Sequence, residues 1–314
     1  MKPNSDRSPR SPLPHWIDGP TLAALAASQT DAHRIGSSPG AWIERFAEDL
    51  LLSYKSDAAR DAIFAALREW EAAHGWKHRR IFGKFIPVQN DERIAPVLIE
   101  GSAGLPLETV VTENAMRFGI DFAAGYSAGL FIDQRANRAF VRRVGARRML
   151  NTFAYTCAFS VAGALAGAET VSVDLSRKSL DRGRENFALN GIDITTHRFI
   201  ADDVLEVLPR LARRGEQFDC LILDPPTFSR GNKGRRFQVE KDFESLLTAA
   251  VEVATPRARI LLSTNCTRLS RRELERIARF ALKLQRRSAN FHAEPPLPDI
   301  PPEFAAQTLW LELR

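Results

Sequence analysis

The sequence predicts an α/β protein: a mostly parallel sheet with helices on both faces and an antiparallel pair of strands at its edge, preceded by a smaller N-terminal α+β domain. Two observations carry this. After Arg147 strand-like and helix-like segments alternate, the pattern of a parallel sheet whose crossovers are helices. Before it, short β-branched and aromatic runs cluster around a single Ala-rich amphipathic helix, and 314 residues suit about two domains, each with its own core.

Residues 1–39 read as an irregular leader, since the Ser-Pro-Arg-Ser-Pro run forms no regular element, with one short helix at Thr21–Ser28. The small domain, 40–133, opens with a strand at Phe46–Tyr54 and the helix Ala58–His74. Strand signals follow at Arg79–Val88, Ile94–Glu100, Glu108–Asn114 and Met116–Phe122. In the larger domain, 134–314, seven strands are expected at Arg147–Phe153, Thr170–Asp174, His197–Ala201, Phe218–Asp224, Ala258–Ser263, Ser288–His292 and Thr308–Leu313. Helices near Phe159–Ala166, Arg177–Asn190, Val204–Arg213, Val239–Ala254 and Arg271–Gln285 lie between them. Only the Pro-rich stretch Glu294–Glu303 separates the last two strands, so they are expected as an antiparallel hairpin at the sheet edge.

Composition excludes several classes. With 44% hydrophobic residues the chain is globular, and no stretch approaches the roughly 20 apolar residues of a membrane span. The polar start lacks a signal-peptide core, which makes the cytoplasm the expected address. Three widely spaced cysteines, Cys157, Cys220 and Cys266, form neither a zinc-type pair nor a disulfide framework, and no metal is expected. The net charge of +6 suits a polyanionic partner or simply a solvated basic surface.

Ligands of such sheets bind beyond the carboxyl ends of the strands. Those ends carry Asn151–Phe159, then Asp174-Leu175-Ser176, then Asp202-Asp203, then Asp224-Pro225-Pro226-Thr227-Phe228-Ser229. An acid about 20 residues beyond the first strand suits two ribose hydroxyls, although Asp174 or Asp203 could equally cap the helix that follows. The G-x-G-x-x-G loop that would cradle a pyrophosphate is absent, which favours adenosine without phosphates, as in S-adenosylmethionine.

The chain resembles class I S-adenosylmethionine-dependent methyltransferases, with their Rossmann-like seven-stranded sheet. More narrowly, it is similar to the bacterial family that methylates 23S rRNA at cytosine C5 or guanine N7. The motifs are Gly129-Leu130-Phe131-Ile132-Asp133-Gln134-Arg135-Ala136-Asn137-Arg138, Leu150-Asn151-x-Phe153-x-Tyr155-Thr156, Val173-Asp174-x-Ser176 and the Asp224-to-Phe228 loop. The resemblance spans roughly Trp42 to Arg314 and rests on their co-occurrence. It implies Phe153, Tyr155 and Thr156 at the methionine end of S-adenosylmethionine and Asp174, with Leu175 and Ser176, at the ribose. It also implies Asp202 at the adenine amino group, and Asp224 and Pro225 between cofactor and target base. Arg135 and Arg138 would hold the pocket roof or a phosphate, or form a surface salt bridge. Cys157 and Ala158 stand where the family usually has glycine, and residues before Trp42 are too few for the family's RNA-binding PUA module.

Guanine N7 needs only orientation, whereas cytosine C5 needs a thiolate adding at C6. Cys266 matches the position of that nucleophile, yet the Asp224 loop resembles the N7 members, so nucleophile and structural filler both stand. Pro226, Thr227 and Phe228 are expected against the base, with Arg230, Lys233, Arg235 and Arg236 on RNA phosphates. A basic helix face at Arg272, Arg276, Arg279, Lys283 and Arg286 is either a further RNA contact or a solvated surface. The expected partner is RNA, foremost 23S rRNA or the large ribosomal subunit. Methylation of DNA, tRNA or a small molecule is the first alternative, and an RNA-binding protein with a degenerate cofactor pocket the second.

Overall fold

A computed structural model describes residues 14–87, 93–230 and 236–314. The chain divides into two compact units, one holding residues through Thr112 with Ile120–Ala128, the other Glu113–Gly119 with Gly129–Arg314. The boundary expected at 133 is thus replaced by a chain that crosses between units more than once.

The first unit contains β1 (His15–Trp16), α1 (Gly19–Ala27), β2 (Ala32–Ser38), β3 (Ala41–Phe46), β4 (Asp49–Tyr54), α2 (Asp57–His74), β5 (Arg80–Phe85) and β6 (Val97–Glu100). The six strands form one sheet in sequence order, antiparallel except where α2 connects parallel β4 and β5. Ser56 caps α2 by accepting from Ala59 N at 3.2 Å, and Gly75 ends it at φ +61°. Ile63, Leu67 and Trp70 of α2 bury against Ile43, Leu50, Leu52 and Ile81 of the sheet. The expected leader is corrected here: from His15 onward the chain is structured, because Gly- and Ser-bearing β2 is completed by backbone pairing to β3 rather than by apolar alternation. The strand expected at Phe46–Tyr54 is present as β4, from Asp49, and a strand not expected from the sequence, β3, precedes it across a turn at Ala47, whose φ of +57° no glycine announces. β7 (Glu108–Glu113) and β8 (Met116–Asp121) form a separate hairpin, turning at Asn114 and Ala115, both with positive φ.

The second unit begins with a 3-10 turn at Ile132–Gln134 and α3 (Arg135–Val144). It continues with β9 (Arg148–Thr152), α4 (Ala158–Leu165), β10 (Glu169–Asp174), α5 (Arg177–Leu189), β11 (Arg198–Ala201), α6 (Val204–Arg213) and β12 (Phe218–Leu223). Then come β13 (Phe228–Arg230), β14 (Arg236–Gln238), α7 (Val239–Glu252), β15 (Ala254–Thr264), α8 (Arg271–Leu284), β16 (Ala289–His292) and β17 (Gln307–Leu313). The seven-stranded sheet has the order β11-β10-β9-β12-β15-β17-β16, with order reversing between β9 and β12. Apolar faces of α6, α7 and α8 bury against one side through Val207, Leu211, Leu246, Leu274 and Ile277. On the other side α3 docks on β17, where Phe140 lies 4.5 Å from Trp310 between ring centroids.

The antiparallel hairpin expected at the sheet edge is present, and one helix appears that periodicity did not announce. The last two strands do pair antiparallel, but β17 inserts between β15 and β16, so the antiparallel strand stands one place in from the edge. Helix α3 escaped the strand–helix alternation because its Arg-rich sequence has no apolar stripe of ordinary width. It is held instead by buried ion pairs: Arg138 donates to both Glu113 oxygens at 2.7 and 2.6 Å, and Arg135 pairs with Asp299.

Candidate active site at the carboxyl edge of the sheet

Parallel registers bring the strand ends into line: Thr152 pairs with Val173 and Leu223, Asp174 with Ala201, and Leu223 with Leu262. The loops after β9, β10, β11, β12 and β15 therefore share one edge, at the reversal of strand order where open sheets bind ligands.

After β9 the backbone zigzags through left-handed conformations at Phe153, Tyr155 and Cys157, with φ of +52°, +48° and +60°. Such residues are strained unless their surroundings fix them. Here Ala154 N donates to Val173 O at 3.0 Å, Tyr155 N to Asp174 Oδ2 at 2.8 Å, and Asn186 Nδ2 to Thr156 O at 2.8 Å. The Thr156 hydroxyl donates to Gly129 O. At Gly129 any Cβ would meet Gly119 O at 2.6 Å, which accounts for that glycine in the motif. The missing family glycine is thereby explained: Cys157 itself takes the left-handed turn, and its sulfur fills space left by Gly183, where a Cβ would come within 2.4 Å of it. Burial pushes the Cys157 and Cys220 thiols up to about 12, so both are packing residues.

Asp174 accepts backbone N–H groups from Tyr155 and Ser176, both at 2.8 Å, one on each oxygen. Burial raises its pKa, and those two donors oppose the shift. Of a carboxylate's roughly four acceptor positions two are used, and two remain for a diol. The neighbouring Leu175 is 37% exposed, an apolar surface beside that acid. Ser176, expected at the ribose, spends its hydroxyl capping α5 on Ser179 N at 3.1 Å. Asp203 likewise caps α6, through Leu205 N at 2.9 Å. Asp202 accepts from Asp203 N at 2.8 Å and is paired with Arg210, so an amino group reaching it must share the carboxylate with a guanidinium. Arg135 is corrected more fully: its buried pair with Asp299 commits it to the fold rather than to a cofactor.

After β12, Asp224 and Pro225 are followed by exposed Pro226, Thr227 and Phe228, the last 47% exposed. Burial pushes the Asp224 carboxyl up to about 6; the neighbouring Ser263 hydroxyl and the charge of Arg138 oppose this, while nearby Asp133 adds to it. Phe228 opens the two-stranded β13–β14 ladder where the sequence suggested a loop. Arg236 is exposed at its return, the backbone of Arg230 lies in β13, and Lys233 and Arg235 fall outside the described residues.

Cys266 lies beyond β15, only 5% exposed within the large apolar core, its thiol donating to Glu240 Oε1 at 3.6 Å. On α8, Arg276 and Arg279 pair with Glu273 and Glu275, as a solvated face would. Sequence reasoning named Phe131 only within a motif. It is 44% exposed, its ring lies 5.5 Å from Tyr155, and Arg138 fixes its carbonyl at 2.8 Å. Among the described residues no group of three His, Cys, Asp or Glu side chains could hold a metal, and no helix is long and apolar enough to cross a membrane.

A sheet of this order, with an acid at the end of its second parallel strand and ligand-facing loops along one edge, defines a Rossmann-like α/β fold. Comparison gives the family: its model, described as S-adenosylmethionine-dependent methyltransferase, matches residues 52–312, and the chain belongs to that family. It is 32% identical over 264 residues to ribosomal RNA large subunit methyltransferase I of Serratia proteamaculans, covering 81% of this chain and 64% of that protein. To ribosomal RNA large subunit methyltransferase K/L of a Psychrobacter species it is 42% identical over 164 residues, 51% of this chain and 20% of the relative. The chain thus spans less than two thirds of the length of either relative. Among solved structures, SMU.776 complexed with SAH superposes with a TM-score of 0.79 at 23% identity, over 93% of this chain and 78% of that one.

The donor set fits S-adenosylmethionine, the family's methyl donor. Asp174 offers free acceptor positions to ribose hydroxyls, exposed Leu175 an apolar surface to adenine, and the strained Phe153–Cys157 loop a pre-formed wall.

Proposed function

We propose that the protein transfers a methyl group from S-adenosylmethionine to a base of RNA, with large-subunit rRNA as substrate. The observation carrying this is the single sheet edge shared by Asp174, the Phe153–Thr156 loop and the Asp224-Pro225-Pro226-Thr227-Phe228 segment. The names of the relatives support rRNA as the substrate.

Bound there, the cofactor supplies an electrophilic methyl group on a sulfonium. The chain's own contribution is orientation, since in-line displacement depends on near-attack placement of the nucleophile. Asp174 and Leu175 hold the nucleoside end, and Phe153, Tyr155 and Thr156 line the methionine end. A target base taken out of its stack lies on exposed Phe228, beside the walls of Pro225 and Pro226. Asp224, ionised at neutral pH with its carboxyl near 6, accepts a hydrogen bond from an N–H of that base. Arg236, with Arg230, Lys233 and Arg235, contacts backbone phosphates, and the small N-terminal unit helps position the RNA.

The burial of Cys266 against Glu240 favours direct attack by a ring nitrogen, guanine N7, over a covalent cysteine adduct at cytosine C6. The position of Cys266 at the end of β15 is the specific observation for the second reading, cytosine C5. The test of substrate class is transfer of labelled methyl groups into protein-free 23S rRNA, intact large subunits, DNA and free nucleosides over a salt series. Strongly salt-dependent labelling of rRNA is expected, whereas salt-insensitive labelling of nucleosides contradicts the proposal.

A further inference from the structure

The first unit carries a cationic cluster on its own sheet. Strand register sets Ser37, Trp42, Ser53 and Lys84 side by side in one row across β2, β3, β4 and β5. Side chains alternate along a strand, and direct cross-strand neighbours share a face. The row therefore lies on the face opposite the Ile43, Leu52 and Ile81 core that α2 covers. On the same face Arg34 donates to Glu44 at 3.0 Å, with its guanidinium 5.4 Å from the Trp42 ring centroid.

Lys84 ends the row in a different setting. Its ammonium lies 5.2 Å from the centroid of the Tyr126 ring, and the Arg93 guanidinium lies 5.3 Å from the same centroid. One ring thus seats two cations, whose mutual repulsion opposes the attraction of each for the π system. Among the described residues neither cation has a carboxylate within ion-pair distance, whereas Arg34 has Glu44. Burial pushes the Lys84 ammonium down; the charge of Glu44 opposes this and that of Arg34 adds to it. Next to Lys84 in the row, Ser53 is fully buried and its hydroxyl has no hydrogen-bond partner, an unmade bond that a folded protein rarely keeps without a use.

Two cations without a counter-ion and a donor hydroxyl suit an anion with several oxygens. A phosphodiester supplies charged oxygens for Lys84 and Arg93 and an acceptor for Ser53. Lys84 and Tyr126 are partly exposed and Arg93 is exposed, so the group can approach from solvent. Basic side chains beside aromatic rings are also the surface that single-stranded nucleic acid takes.

We propose that Lys84, Arg93 and Ser53, gathered beside Tyr126, bind a backbone phosphate of the RNA substrate and give the small unit its own hold on it. The inference rests on the reading that the substrate is RNA, and it names the residues through which that unit positions the strand.

The test is binding of 23S rRNA and of a fluorescein-labelled single-stranded oligouridylate to the full chain over a salt series, without cofactor. For a single strand each phosphate contact steepens the dependence of log affinity on log salt by about 0.7. Lys84→Gln and Arg93→Gln are each expected to weaken binding and to flatten the slope by about that amount, whereas Lys84→Arg keeps the wild-type slope. Ser53→Ala is expected to bind more weakly at an unchanged slope while melting no lower than wild type, since it removes an unpaired buried hydroxyl. Arg60→Gln removes a charge from α2, where Asp57 already pairs it at 2.9 Å, and leaves the slope as it is. An unchanged slope in both Lys84→Gln and Arg93→Gln, or an equal loss in Arg60→Gln, overturns the proposal, with cofactor affinity and thermal melting showing folded protein. A loss confined to binding of inorganic phosphate, followed by phosphorus NMR, with RNA affinity unchanged, assigns the cluster to a free anion and overturns it too. Because binding is read without turnover, flattened slopes in a chain that labels no RNA retract the methyl-transfer reading and leave the phosphate site standing.

Discussion

At the scale of single residues, the site depends on what each carboxylate and thiol is surrounded by. Asp174 keeps two acceptor positions free, so Asp174→Ala should weaken S-adenosylmethionine binding by about 1 to 3 kcal/mol, measured by titration calorimetry. An unchanged affinity removes the ribose assignment. Cys266 sits in the core facing Glu240, so Cys266→Ala should keep most methyl transfer, whereas complete loss with intact cofactor binding would restore the cytosine C5 reading. Asp224 makes a prediction about stability. Unfolded it titrates near 3.8, folded at about 6, so the native state binds more protons in between. Stability from this group is present below about pH 4 and is lost as pH rises through about 6. Asp224→Asn should therefore be more stable than wild type at pH 7, by up to about 3 kcal/mol, with the gap closing near pH 4 in urea unfolding.

At the scale of elements, what was legible in the sequence was what periodicity records. Helices α2, α5, α6, α7 and α8 carry apolar stripes, and all seven strands of the large sheet stand close to where their runs of β-branched residues place them. What was not legible depends on partners distant in sequence. The stripe of α3 is replaced by Arg138–Glu113 and Arg135–Asp299, and β2 exists because β3 pairs with it. The places of Asp174 and of the Asp224 loop at strand ends were readable from spacing, whereas the cap made by Ser176 and the burial of the Arg135 ion pair with Asp299 depend on partners the spacing does not show. Gly183 is the instructive case, since its signal lay 26 positions from the missing glycine it compensates. Glycine to alanine inside a helix normally stabilises by about 1 kcal/mol. Here Gly183→Ala should lower the melting temperature, because its Cβ would press on Cys157; a raised melting temperature would refute the packing of α5 against that loop. Breaking Arg138–Glu113 by Glu113→Ala leaves a buried guanidinium and should cost about 3 to 5 kcal/mol by chemical denaturation.

At the scale of the whole molecule, a net charge of +6 and exposed Arg236 in β14 suit a substrate bound through its phosphates. In the proposed reading such contacts position RNA without reading its sequence, which leaves the choice of base to the Asp224–Phe228 segment and the choice of mechanism to Cys266. Both choices are visible in the product. Labelled methyl groups transferred into 23S rRNA, digested to nucleosides and identified by mass spectrometry, should appear as 7-methylguanosine. Labelled 5-methylcytidine would contradict the account of Cys266 as a packing residue, and no label in rRNA or large subunits would contradict the proposed substrate itself.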